Sequence, residues 1–274
     1  MATLAHTDLA AEGARPERWM AFLHGLLGRG ANWRSFARRW VDTYPTWGAM
    51  LVDLRLHGDS PDAFPPPHTV ATAASDVLAL LVPDTAPGPV TALVGHSLGG
   101  KVVLAAQRQS DHRFPRVVVL DASPAARPDG LGSEQSRDVL ELLGRLPARF
   151  GTRTEFISRV EAAGQLRSMA QWLAMNLVVD AGGGFRLGVD LAGMASLFRS
   201  VLAEDDWDVV TAVRPPERLT FVVGGASGVV DPETQARLAR LAPAVELEVI
   251  PGAGHWLQVD APDATFAAME RALR

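Results

Sequence analysis

The chain has 274 residues, of which 47% are hydrophobic and 21% are charged, and its formal net charge at pH 7 is −5. This size and composition suit one large globular domain, or a core domain with an insertion, and the acidic balance argues against nucleic acid or an anionic membrane as the main partner. Cysteine is absent, which excludes disulfides, a thiolate nucleophile and cysteine-ligated metals.

The first nineteen residues carry several charges and lack the uninterrupted apolar stretch of a secretory signal. Apolar runs elsewhere have the length of strands, far short of the roughly 20 residues that cross a bilayer. We therefore expect a cytoplasmic protein with no stable membrane insertion.

Short aliphatic runs recur along the chain, and each ends in a turn that precedes a helix-like stretch. Continuous apolar strands that alternate with helices predict an α/β fold with a mostly parallel, twisted sheet and helices on both faces. The functional residues of such sheets lie in loops at the carboxyl ends of the strands. The predicted strands are residues 19–23, 49–52, 90–94, 117–120, 219–223 and 245–250.

The alternation breaks between about residues 123 and 215. A segment of this length exceeds an ordinary crossover, so we predict a helical cap insertion at 123–215 over a core made of 1–122 and 216–274. The alternative is a set of extra helices packed on one side of the sheet. Predicted helices lie at 133–146, 153–163, 166–178 and 191–202, with one further strand at 185–189.

The loop after the first predicted strand begins His24-Gly25-Leu26. Acyl transfer needs two backbone N–H donors that point at the carbonyl oxygen. The amide of Leu26 can supply one because Gly25 lets the loop fold back over the strand end, and the amide of Leu98 can supply the other. His24 itself we expect to brace the loop. An ordinary glycine turn with a structural histidine is the alternative.

A G-x-S-x-G motif, Gly95-His96-Ser97-Leu98-Gly99, directly follows a predicted strand and precedes a helical pattern at 101–108. At such a turn the serine adopts a strained backbone conformation that exposes its hydroxyl, and small flanking residues let neighbouring chain approach closely. The helix N-terminus behind it points free N–H groups at a developing oxyanion. We therefore predict that Ser97 is a catalytic nucleophile.

The general base predicted for this serine is His255, in a glycine-rich loop after the last predicted strand and before a closing helix at 262–273. This place fits the nucleophile–acid–histidine order of serine hydrolases built on such sheets. No pair of histidines has metal-ligand spacing, so we expect no metal and no cofactor. The remaining histidines are assigned to structural turns or loops (His24, His57 and His96) and to the surface (His6, His68 and His112).

The acid that orients the base has two main candidates, each after a predicted strand. Asp121 directly follows the strand at 117–120, and Asp231 lies in the loop after 219–223. Because Pro232 follows it, Asp231 is typical of a helix N-cap with proline at the first helical position. We place Asp121 ahead of Asp231; further alternatives are Asp205, Asp206 and Asp208.

Six motifs occur together at predicted strand ends, at residues 22–28, 53–60, 95–101, 120–124, 224–227 and 252–256. Together they resemble the α/β-hydrolase superfamily, and more closely its small-esterase branch, which includes bacterial esterases and mitochondrial abhydrolase-domain proteins. The resemblance implies the α/β-hydrolase fold and carboxylesterase or acyl-thioester hydrolase activity. Because some relatives place the triad aspartate at the Leu-Asp position with help from a Gly-Gly-x-Ser serine, it also implies Asp121 as acid and Ser227 as a supporting residue. This chain has Ala226 where that branch usually has asparagine.

We therefore expect a serine hydrolase that cleaves short- to medium-chain acyl esters through a Ser-His-Asp acyl-enzyme mechanism. Its partner would be a small-molecule acyl ester or thioester. The alternatives are an acyl-CoA or carrier-protein thioesterase, a carbon–carbon bond hydrolase or cofactor-free perhydrolase, and a ligand-binding receptor without turnover. Serine at position 97 excludes the related enzymes that use an aspartate nucleophile.

Overall fold

The computed structural model of the chain describes residues 2–60, 64–110 and 114–274. His112, expected at the surface, lies outside these residues, whereas His6 and His68, assigned to the surface with it, are half-buried. No helix within the described ranges combines the length and the apolar character that crossing a bilayer requires.

A seven-stranded sheet forms the centre of the molecule. In spatial order its strands are β1 (His6–Leu9), β3 (Trp47–Val52), β2 (Arg18–Leu23), β4 (Val90–His96), β5 (Arg116–Leu120), β8 (Arg218–Gly224) and β9 (Val245–Ile250). All neighbouring pairs are parallel except β1 with β3. The six strands predicted from the sequence all form, so the prediction of a mostly parallel sheet is confirmed.

Within the seven-stranded sheet, the strand that the sequence did not predict is β1, at the edge. It has four residues, His-Thr-Asp-Leu, of which only Leu9 is buried. Such a short polar segment carries little strand signal of its own. Its conformation comes from antiparallel pairing with β3, in which His6 lies opposite Val52 and Leu9 opposite Ala49.

Helices cover both faces of the sheet, because successive strand side chains point to opposite sides. In β5, Val117 and Val119 belong to one apolar cluster, and Val118 and Leu120 belong to the other. One face carries α2 (Val70–Leu80), α3 (Leu98–Gln109), α8 (Trp207–Ala212) and α9 (Pro232–Ala239), and the other carries α1 (Arg34–Thr43), α10 (Leu257–Asp260) and α11 (Pro262–Leu273).

Between β5 and β8 the chain forms four more helices and a two-stranded antiparallel hairpin. The prediction of a helix at 166–178 was wrong in its second half: the helix ends at Leu173, and β6 begins at Leu177 and pairs with β7. This segment has an apolar cluster of its own, to which Leu27 and Leu56 contribute from core loops. Its elements are α4 (Glu134–Arg145), α5 (Arg153–Ala162), α6 (Arg167–Leu173), β6 (Leu177–Val179), β7 (Phe185–Leu187) and α7 (Leu191–Ala203).

Candidate active site

Ser97 occupies the turn between β4 and α3, with φ 55° and ψ −116°. A non-glycine residue rarely has a positive φ, and such strain concentrates at functional sites. Two close approaches make the turn possible. A Cβ at Gly95 would lie 2.1 Å from the carbonyl oxygen of Gly99, and a Cβ at Gly99 would lie 2.4 Å from that of Leu23. Both positions of the motif therefore require glycine.

The imidazole of His255 is held by a carboxylate. Its Nδ1 lies 2.7 Å from Oδ2 of Asp121, a side chain with no solvent exposure. Because a carboxylate accepts, Nδ1 carries the proton, which leaves Nε2 of His255 with its lone pair free. Ser97 and His255 line the same two cavities.

Two more donors orient the Asp121 carboxylate. The hydroxyl of Ser227 donates to Oδ2 at 2.5 Å, and the backbone N–H of Gly224 donates to Oδ1 at 3.0 Å. The backbone at Asp121 has φ 46°, a second positive value at a strand end. The structure thus brings together three residues expected from the sequence, Ser97, His255 and Asp121, with Ser227 beside them.

Asp231 has other partners. Its Oδ1 accepts from the backbone N–H of Thr234 and caps α9, as Pro232 predicted, and its Oδ2 lies 2.9 Å from the guanidinium of Arg127. Burial would raise its pKa, but the hydrogen bonds from Thr234 and the charge of Arg127 together lower it. We therefore treat its carboxylate as a structural anion.

The other aspartates considered from the sequence also lie in structural contacts. Asp206 is fully buried, with Oδ2 3.2 Å from Nζ of Lys101, and Asp208 lies 2.7 Å from Arg108. Both cations belong to α3. Oδ1 of Asp205 accepts from the amide of Trp207, at the start of α8.

The two amides expected to bind an oxyanion lie in the loop after β2 and at the start of α3. Neither Leu26 N–H nor Leu98 N–H has a hydrogen-bond acceptor among the described residues. Leu98 is the first residue of α3, where the helix leaves its N–H groups unpaired. The loop at Gly25 packs against the turn, because a Cβ built there would lie 3.3 Å from Cβ of Ser97.

Three buried histidines brace the loops around this site. His24 accepts from Leu54 N–H through Nε2 and donates to a carbonyl through Nδ1, as expected for a bracing residue. His57 accepts from Leu27 N–H through Nε2 and donates to the carbonyl oxygen of Arg55 through Nδ1. His96 donates from Nε2 to the carbonyl oxygen of His255 at 2.8 Å, so it anchors the loop of the base. Burial lowers the pKa of His24 to about 4 and those of His57 and His96 to about 3, which keeps all three neutral.

Asp53 is a bracing residue that the sequence analysis did not single out. Its Oδ1 accepts from Gly30 N–H at 2.6 Å and its Oδ2 from Asp59 N–H at 2.8 Å. Nearby, the buried Arg55 forms an ion pair with Asp76 at 2.6 Å. The Asp-x-Arg pattern directly after a strand could have pointed to Asp53 and Arg55. Their partners Gly30 and Asp76 lie more than twenty residues away, where a local pattern does not reach.

Two cavities meet at these groups, and Leu26, Ser97 and His255 line both. The narrower cavity, of about 50 Å³, has aromatic walls that include Trp33, Trp172 and Trp256. The wider cavity, of about 250 Å³, is lined by apolar side chains together with several serines and the charged Lys101 and Arg127. Its apolar lining includes Leu98, Leu131, Phe198, Val201, Leu202 and Val229.

The chain is similar to known hydrolases in sequence and in structure. The family model described as "Alpha/beta hydrolase family" matches residues 20–268. The "sn-1-specific diacylglycerol lipase ABHD11" of Mus musculus is 30% identical over 251 residues, which cover 89% of this chain and 76% of that protein. "Esterase YbfF" of Escherichia coli is 26% identical, with 93% and 92% covered. A solved structure titled "Marine microorganism esterase" has a TM-score of 0.82 at 20% identity and covers 99% of this chain and 100% of its own, so it shows the same fold.

Proposed function

The chain is an ester-cleaving hydrolase of the alpha/beta hydrolase family, and from that premise we propose that it works through Ser97, His255 and Asp121 as a serine hydrolase. The observation that carries the proposal is the 2.7 Å contact between Asp121 and His255, beside a serine with positive φ in a shared cavity. Asp121 holds the imidazole in the tautomer whose Nε2 can accept a proton.

In the first half of the reaction, Nε2 of His255 takes the proton of Ser97 as the serine oxygen attacks the acyl carbon. The amides of Leu26 and Leu98 stabilise the negative charge that forms on the carbonyl oxygen. When the ester C–O bond breaks, His255 gives its proton to the departing alkoxide, and the acyl group stays on Ser97. Each oxyanion donor lowers the activation barrier by about 3 kcal/mol in enzymes of this type.

In the second half, water attacks the acyl carbon while His255 takes one of its protons. The bond to the oxygen of Ser97 then breaks, and His255 returns the proton to that oxygen as the carboxylic acid leaves. The Asp121 carboxylate accepts from Nδ1 and stabilises the imidazolium. Ser227 and Gly224 hold that carboxylate in place.

The cavities suggest how an ester binds. The acyl chain would occupy the wider one, of about 250 Å³, whose apolar lining includes Leu131, Phe198 and Leu202. That size suits a short- to medium-chain acyl group, and the narrower aromatic cavity would receive the alcohol. We propose that residues 123–215 act as a cap, because Trp172 and Phe198 from that segment line the two cavities.

The experiment that tests this function compares matched substrates with the same butyryl group. An oxygen ester, a thioester and a diketone are assayed under one set of conditions, and a fluorophosphonate is used to label the protein. We expect turnover of the oxygen ester to be fastest and the label to map to Ser97 by peptide mass spectrometry. Faster turnover of the thioester or the diketone would replace esterase by one of those activities. Labelling without turnover of any substrate would overturn the enzymatic proposal.

A further inference from the structure

Leu27, the residue after the proposed oxyanion donor Leu26, has an unusual backbone conformation. Its φ is 61°, and its side chain is buried with 3% exposure. A non-glycine residue in the left-handed region is strained and persists only where surrounding contacts hold it. The N–H of Leu26 shares its peptide plane with the carbonyl of Gly25, and the carbonyl of Leu27 shares its plane with the N–H of Gly28. Because Gly28 N–H donates to the carbonyl oxygen of Gly25, the conformation at Leu27 sets the direction of the Leu26 amide.

Three hydrogen bonds hold Leu27 in that conformation. Its N–H donates to Nε2 of His57 at 3.0 Å, and the next amide, that of Gly28, donates to the carbonyl oxygen of Gly25 at 3.0 Å. Both of these partners belong to core loops. The third bond comes from the segment between β5 and β8, where Nδ2 of Asn176 donates to the carbonyl oxygen of Leu27 at 2.9 Å.

Asn176 is itself held firmly. It belongs to a 3-10 turn, Ala174–Asn176, which connects α6 to β6. The guanidinium of Arg153 donates to the carbonyl oxygens of Ala174 at 2.7 Å and Leu177 at 3.1 Å, on either side of Asn176. The amide of Gly188 donates to the carbonyl oxygen of Asn176 at 2.8 Å. A side chain anchored in this way can impose a position on the loop that it contacts.

We infer that Asn176 is a positioning residue that sets the oxyanion amide of Leu26 by holding the carbonyl oxygen of Leu27. The inference rests on the proposed function, and it makes the seating of the segment at 123–215 a condition for an efficient oxyanion site. Asn176 does not line either cavity that contains Ser97. Its effect therefore falls on the transition state, and substrate binding is left nearly unchanged.

The test uses Asn176→Leu and Asn176→Asp, which keep the size of the side chain and remove the donor. The matched control is Ser200→Ala, which removes another hydrogen bond between the same segment and the core, the one that Ser200 accepts from the amide of Val70 at 3.0 Å. For each protein, kcat and KM are measured with a butyryl ester. Inhibition constants are measured for a trifluoromethyl ketone, which forms an oxyanion on the serine, and for the matching alcohol, which does not.

We expect both Asn176 variants to lower kcat about 10- to 100-fold, with KM within about twofold of wild type, because the oxyanion donor is misplaced and still present. Inhibition by the trifluoromethyl ketone weakens by the same factor as kcat, and inhibition by the alcohol does not change. Arg153→Met, which loosens the turn without touching Leu27, gives a smaller change of the same kind.

Equal behaviour of the Asn176 variants and Ser200→Ala would overturn the inference, as would equal weakening of both inhibitors, which indicates general damage to the cavity. If the leucine variant does not fold, the aspartate and Arg153 variants decide the matter. Failure of the proposed function would look different, since the wild-type protein would then bind neither inhibitor at Ser97.

Discussion

Replacement of Asp121 by asparagine should abolish most of the activity without unfolding the protein. Oδ1 accepts from Gly224 N–H, so the amide oxygen of the asparagine takes that place and its NH₂ group takes the place of Oδ2. This NH₂ then faces Nδ1 of His255, where the carboxylate accepted at 2.7 Å. Two donors cannot face each other, so the imidazole carries its proton on Nε2 and cannot accept one from Ser97.

The expected loss in kcat is about 10⁴-fold, or about 5.5 kcal/mol in the barrier. The matched control is Asp231→Asn, because asparagine is also a good N-cap and α9 should survive. Initial rates with p-nitrophenyl butyrate and circular dichroism spectra are measured for both variants. A folded Asp121→Asn protein with a tenth or more of wild-type activity would refute this account of the acid, and so would an inactive but folded Asp231→Asn protein.

Further predictions concern stability. Lys101→Met removes the ammonium that lies 3.2 Å from the fully buried Asp206 and leaves Arg108, 3.0 Å away, as the remaining cation. The free energy of unfolding should fall by about 3 kcal/mol, the lower end of the cost of breaking a buried ion pair. Lys101→Met with Asp206→Leu should regain most of it, because Arg108 keeps Glu204 and Asp208 as partners; urea denaturation that shows no such recovery contradicts the prediction. A second prediction concerns pH, because burial lowers the folded-state pKa of His24 to about 4 and of His57 and His96 to about 3. Below pH 6.5 the unfolded chain therefore binds more protons than the folded protein. Each histidine then lowers the free energy of unfolding by about 1.4 kcal/mol per pH unit as the pH falls. Burial raises the pKa of Asp206 to about 6, and below that pH the protonation of Asp206 in the folded protein offsets the contribution of one histidine. Urea titrations should therefore show stability falling between pH 6.5 and 5, and a constant value across that window would contradict the three assignments.

Local sequence signals were sufficient where the chemistry and the geometry lie in one short segment. The turn at Ser97 could be predicted because Gly95 and Gly99 lie within two residues of it and their close contacts are local requirements of the turn. The role of Asp231 as the N-cap residue of α9 could be predicted for the same reason, because Pro232 directly follows Asp231. Both depend on interactions within a few residues.

The remaining features depend on contacts between distant residues. Asp121 and Asp231 both follow strands, and the local pattern does not say which carboxylate the base contacts. The helix expected at 166–178 ends early at Leu173, and the turn that follows it places Asn176 against Leu27, a residue 149 positions away. Apolar periodicity carries no information about such a contact.

The central claim is that the hydroxyl of Ser97 is the nucleophile. Its most direct test is the rate of p-nitrophenyl butyrate hydrolysis by Ser97→Ala, with Ser200→Ala as a control that keeps the catalytic groups. We predict a fall of about 10⁴-fold or more for Ser97→Ala, with an unchanged circular dichroism spectrum. A Ser97→Ala protein that hydrolyses the ester at the wild-type rate would contradict the account.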